Sequence, residues 1–157
     1  MELKFQVQAR IQKPVEEVFD GVYNPAKITQ YFATESSSGS LSEGSQVIWR
    51  FADYPHDVHL SVKKVVPNQL IAFEWEAADG GYNTRVEIKF EALGSSETLV
   101  KISESAWKEN QRGLDSSYQN CQGWMNMVSC LKAYLEYGIN LRKGFFGDLK
   151  GGKDALE

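Results

Sequence analysis

The feature that most restricts this sequence is a single helical stripe closing a chain otherwise dominated by two-residue alternation. Over 116–143, Tyr118, Cys121, Trp124, Met125, Val128, Leu131 and Leu135 recur at three- and four-residue steps, which sets them on one side of a helix. A lone helix cannot bury such a stripe, so the strands that precede it must receive it. The stripe is soft, mixing Tyr, Cys, Trp and Met, and predicts a hollow between helix and sheet. Ser116-Ser117-Tyr118-Gln119 fits the S-x-x-Q capping box at its start, and Gly144 after Arg142-Lys143 supplies a stop. Gly123 and Gly138 fall inside this predicted helix, where each costs about 1 kcal/mol relative to alanine. Glycines kept at that cost point to close approach of another backbone or group, the alternative being that they are simply tolerated.

Ahead of the helix, Leu3, Phe5, Val7, Ala9 and Ile11 alternate with polar residues and predict a strand over 2–11. Pro14 opens a short helix with Val15, Val18, Phe19 and Val22 at helical spacing, and Asn24-Pro25 ends it. A second short helix carries Ile28, Tyr31 and Phe32 on its apolar side, and the Ser- and Gly-rich stretch 35–45 predicts a weak edge strand and a turn. The period then returns to two, through Val47, Trp49 and Phe51, then Val58, Leu60 and Val62. After the Pro67-Asn68 turn come Ile71, Phe73 and Trp75; Asp79-Gly80-Gly81 is a hairpin signal leading into Tyr82, Thr84, Val86, Ile88 and Phe90. A last strand is predicted over 98–107. Hairpin-length turns make this an antiparallel meander. The predicted architecture is α+β, a helix-grip fold: a twisted antiparallel sheet of about six to seven strands around one long C-terminal helix, with two short helices after the first strand.

At 157 residues the chain has the size of one domain, read as 1–146, with 147–157 a flexible tail whose Leu156-Glu157 resembles an expression-vector remnant. A net charge of −4, from 17 basic and 21 acidic residues, excludes the clustered basic footprint of a nucleic-acid binder. Arg142, Lys143, Lys150 and Lys153 are assigned to the last helix's dipole and a solvated tail. No window reaches the roughly 18 apolar residues of a membrane span and the first residues lack a signal region, which predicts a cytoplasmic protein with no membrane insertion. Cys121 and Cys130 are separated on one helix by about 900° and about 13 Å of rise, too far to bridge. Cys121 is read as core or cavity wall, and Cys130 as a more peripheral thiol.

Several phrases occur in a telling order: Ile11-Gln12-Lys13-Pro14-Val15-Glu16-Glu17-Val18-Phe19, Asn24-Pro25, Tyr31-Phe32, Leu70-Ile71-Ala72-Phe73-Glu74-Trp75, Glu104 through Trp107, Gly123-Trp124 and Leu131-Lys132-Ala133-Tyr134-Leu135-Glu136. Together they resemble the START-like (SRPBCC) superfamily and, within it, homologues of the C-terminal domain of the activator of the heat-shock chaperone ATPase. The likeness runs from Leu3 to about Leu141. It implies an apolar cavity between sheet and C-terminal helix, since many members bind lipids, sterols, polyketides or other hydrophobic small molecules. It does not name a ligand.

The expected pocket wall consists of Phe32, Trp49, Phe51, Phe73, Trp75, Tyr82, Thr84, Val86 and Ile88 from the first two-thirds of the chain, and Tyr118, Cys121, Trp124, Met125 and Val128 from the helix. Plain core is the competing reading for any one of these. Glu104 shares strand parity with Val100 and Ile102. The favoured reading leaves it at the sheet rim, in reach of water or Arg50; the alternative turns it inward, where a carboxylate needs partners and could recognise a ligand or move a proton. Asp53-Tyr54-Pro55-His56-Asp57-Val58-His59 gathers both histidines, but Pro55 forces a turn and no third His or Cys is near, so it reads as a solvated loop and not a metal site. No serine sits in an activating context, and no phosphate loop of recognised form is present, so no catalytic residue and no cofactor are assigned.

Three functions fit. The first is a carrier or sensor binding a hydrophobic small molecule or lipid. The second is a protein-interaction module like the co-chaperone domain, through a chaperone or homodimer contact, with Tyr134, Tyr137, Phe145 and Phe146 as exposed candidates. That reading is weakened here because only the region resembling the C-terminal domain is covered. A cyclase- or dehydratase-like enzyme ranks last, because the predicted lining is almost wholly apolar.

Overall fold

The computed structural model describes residues 1–147. Its strands are β1 (Phe5–Ile11), β2 (Ser36–Ser37), β3 (Gln46–Arg50), β4 (Val58–Val66), β5 (Leu70–Glu76), β6 (Asn83–Ala92) and β7 (Thr98–Ser105), and its helices are α1 (Val15–Tyr23), α2 (Pro25–Ile28) and α3 (Gln111–Tyr137). All seven strands form one antiparallel sheet in the order β1-β7-β6-β5-β4-β3-β2. The six later strands are thus a meander, and β1 joins its far edge beside β7. The expected α+β helix-grip architecture is the one observed. The expected flexible tail, from residue 148 onward, lies outside the described residues.

Local chemistry explains the joints. Pro14 precedes α1, and Glu16 and Glu17 occupy its first turn, where negative charge suits the helix dipole. Asn24 ends α1 and caps α2, accepting from the Ala26 amide at 2.9 Å with Pro25 at the first helical position. Alternation in β7 is complete, with Thr98, Val100, Ile102 and Glu104 buried and the residues between them half-exposed. In β4 the register shifts between Val62 and Lys64, so Lys63 and Lys64 both face water and Val65 returns to the core.

α3 starts and stops elsewhere than the sequence predicts. Its N-cap is Asn110, whose side chain accepts from the Gly113 amide at 2.9 Å, so the helix is already in its second turn at Ser116. Ser117 does not cap; its hydroxyl donates back to the Leu114 carbonyl at 2.7 Å. The helix ends at Gly138, a left-handed cap with φ 68°, well over one turn before the expected Gly144 stop. Gly123 meets nothing within 4 Å of where a Cβ would stand. The close approach expected there occurs at Gly113, whose Cβ would fall 1.9 Å from the Lys108 carbonyl oxygen.

The inner face of α3 is also rotated from the predicted stripe. Ser116, Ser117, Trp124, Met127, Val128, Cys130 and Leu131 are buried, whereas Tyr118 is 65% exposed and Met125 43%. Cys121 is half-exposed and Cys130 buried, the reverse of the expected pair. Leu131 and Leu135 meet α1 at Gly21, 3.3 and 3.5 Å from its would-be Cβ. Among the strands β1 comes nearest the α3 backbone, while towards β3–β6 helix and sheet are held apart by side chains.

Candidate functional site: a buried carboxylate in an aromatic interior

The register Val86↔Glu104 and Trp75↔Thr84 sets these four residues side by side on β5, β6 and β7. Across from them α3 presents Asn120 and Trp124, one turn apart. Glu104 is 1% exposed. Its Oε1 accepts from Trp124 Nε1 at 2.8 Å; its Oε2 accepts from Thr84 Oγ1 at 2.6 Å and Trp75 Nε1 at 2.9 Å. Asn120 Nδ2 donates to both oxygens, at 3.1 and 3.0 Å. Burial pushes the Glu104 carboxyl above the ordinary range, and the donors from Thr84, Trp75, Trp124 and Asn120 pull against that shift. The rim reading, with Glu104 in reach of water or Arg50, is corrected: Arg50 instead makes a two-pronged pair with Asp57, at 2.9 and 3.1 Å.

The two indoles drawn to Glu104 stack on each other, 5.3 Å between centroids. From this pair a continuous ring cluster runs through Phe73 and Phe32 to Trp49 and Phe51, with neighbouring centroids 5.0 to 6.4 Å apart, the range of contacting aromatic pairs. Trp75 is only half-buried, so it is the outermost ring of the cluster, near the end of β5. Val86, Ile88 and Val128 are fully buried beside these rings in the same core. Tyr82 stands apart. Its hydroxyl donates to Asp79 at 2.8 Å and accepts from the Lys108 amide at 3.1 Å, tying the β5–β6 hairpin to the approach to α3. Tyr118 and Met125, on the outer face of α3, do not reach the cluster, and Cys121 is half-exposed.

A second buried polar group closes the far end. After Gly138 the chain turns back and inserts Arg142, which donates to Asp53 from Nε at 2.6 Å and Nη2 at 2.8 Å, and to Asn126 Oδ1 at 3.2 Å. Its guanidinium lies 5.2 Å from the centroids of Phe32 and Phe51 and 4.9 Å from that of Phe146. Arg142 is therefore a core anchor and not a solvated dipole cap, and Asp53 is not part of a solvated loop. Both were missed because charged residues signal burial only through a partner, and these two are remote in sequence. His56 and His59 are exposed. Among the described residues no group of three or more His, Cys, Asp or Glu could hold a metal ion. Tyr134, expected to be exposed, stacks on Tyr31 at 5.4 Å.

The family model for activator of Hsp90 ATPase homolog 1-like proteins matches residues 12–136. The chain belongs to that family. Among solved structures it is similar to protein SSP2350 from Staphylococcus saprophyticus, with 28% identity, a TM-score of 0.75, and 89% of this chain and 96% of that one covered. The Aha1 dimer from Colwellia psychrerythraea shares the fold at 19% identity and a TM-score of 0.74, over 87% of this chain and 98% of that one. DynU16, from the dynemicin biosynthetic locus, does so at 23% identity and 0.75, over 87% of this chain but 48% of its own. No curated protein matches. Among the described residues no helix is long and apolar enough to cross a membrane.

Proposed function

We propose that this family member binds a compact hydrophobic molecule between the sheet and α3, entering beside Trp75. The observation that carries this reading is the ring cluster itself. Its aromatic side chains span the gap between α3 and β3–β6, and its outermost indole is half-buried. Apolar, aromatic-lined interiors with few polar groups are the usual setting for small-molecule recognition. The family's fold commonly serves that purpose. Phe32, Trp49, Phe51, Phe73 and Trp75 would line the site opposite α3, without Tyr82, and Glu104 acts as the fixed point that orients both indoles. No proton transfer is assigned to it, because all its acceptor positions are taken by protein donors.

Native mass spectrometry of purified protein, before and after organic extraction, tests the reading. A small apolar molecule should leave on extraction, and the extracted protein should bind ethylbenzene with a saturable change in indole fluorescence. Absence of both would reject it. A protein-contact role draws support from another surface: Tyr118 and Met125 on the outer face of α3, Tyr137 at its last residue, and Ile139, Leu141 and Phe145 just beyond it, are all exposed. The same spectra decide that reading in its homodimer form, since a purely monomeric mass would reject it.

A further inference from the structure

Three buried side-chain polar atoms have no hydrogen-bond partner among the described residues: Trp49 Nε1, Trp107 Nε1 and Ser116 Oγ. Trp107 packs against Phe5, and Ser116 lies near the start of α3. Trp49 alone belongs to the ring cluster, touching Phe32, Phe51, Phe73 and Trp75, and it is 0% exposed. An indole nitrogen can only donate, and a buried donor left unpaired is a standing cost that an incoming acceptor would relieve.

The other polar group of this interior offers the opposite case. A carboxylate has about four acceptor positions. Glu104 receives five contacts from four protein donors, so nothing remains to accept from a ligand. The interior thus holds an unpaired donor at Trp49 and a saturated acceptor at Glu104. From this we infer that the ligand is an apolar molecule bearing a hydrogen-bond acceptor, such as a carbonyl or ether oxygen, which Trp49 Nε1 receives. The inference rests on the binding function proposed above and adds the polarity of the ligand. It also moves ligand recognition from Glu104, the polar candidate in the sequence, to a tryptophan.

Acetophenone and ethylbenzene have nearly the same shape and differ in the carbonyl oxygen. With the extracted wild-type protein, acetophenone should bind about five- to tenfold more tightly than ethylbenzene, corrected for their difference in water-to-octanol transfer. In Trp49→Phe, which keeps a ring but lacks the donor, that preference should vanish while ethylbenzene binding persists. Should the variant not fold, the wild-type protein still decides: acetophenone, but not ethylbenzene, should shift the Trp49 indole N–H proton resonance downfield. Equal corrected affinities and equal indole shifts overturn this inference and leave the binding function standing. Failure of both probes to bind overturns both.

Discussion

Glu104 shows how a charged side chain can be placed inside an aromatic interior without a cation. Four neutral donors surround it, and the nearest sequence cue to its role is the alternation of β7. Replacing it by glutamine leaves one acceptor oxygen and turns an amide towards the indole N–H of Trp75 or of Trp124, which can only donate, so at least one indole loses its partner. Glu104→Gln should be less stable by about 1–3 kcal/mol in urea unfolding. The pH dependence follows from the direction of the shift. Because burial raises the folded carboxyl above its unfolded value, the folded protein holds that proton more tightly. The contribution of Glu104 is then greatest below the ordinary carboxylate range and declines as pH rises through that range to the folded value. The stability gap between wild type and Glu104→Gln should accordingly narrow as pH rises through and above the ordinary carboxylate range. A gap that widens with pH would show that the donors outweigh burial.

Among the elements, α3 carries the clearest contrast. Gly113 and Gly123 look alike in sequence, each a weak helix former between a polar and an apolar residue, yet one is crowded and the other open. Gly123→Ala should raise stability by up to about 1 kcal/mol, the difference in helix propensity. Gly113→Ala should lower it, since the Lys108 carbonyl must move for the methyl group to fit; chemical denaturation of both variants checks the pair. The strands were legible because each alternates over several residues, and turn residues such as Asp79-Gly80-Gly81 separate them. α3 was legible as a helix, but its phase was not. Its inner face includes Ser116, Ser117, Asn120 and Asn126, held by packing or by partners from other elements, while Tyr118 and Met125 point outward. Apolarity therefore succeeds at Trp124, Val128, Leu131 and Leu135 and fails at Tyr118, Met125 and the polar inner positions. Trp49, Phe73, Trp75 and Trp124 could be found from period alone; the partners of Glu104 could not, because they come from three elements.

At the scale of the molecule, two distant contacts hold the chain after α3 in place. Arg142 reaches Asp53 and Asn126, and both members of the ion pair are nearly inaccessible. Removing one charge strands the other, so Arg142→Ala should cost about 3–5 kcal/mol. The double variant Asp53→Leu with Arg142→Met should lose much less than either single variant, as a double-mutant cycle by urea unfolding would show. Simple additivity of the two losses would refute the coupling. The other long-range tie is the pairing of Phe5–Ile11 with Thr98–Glu104. Every other neighbour in the sheet is also the neighbour in sequence, so hairpins can form one after another as the chain lengthens. β1 cannot take part in this. It must wait, apolar face unpaired, until almost the whole sheet has been synthesised, a delay set by topology and not by stability. Of these seven strands, the first to leave the ribosome is the last to find its place.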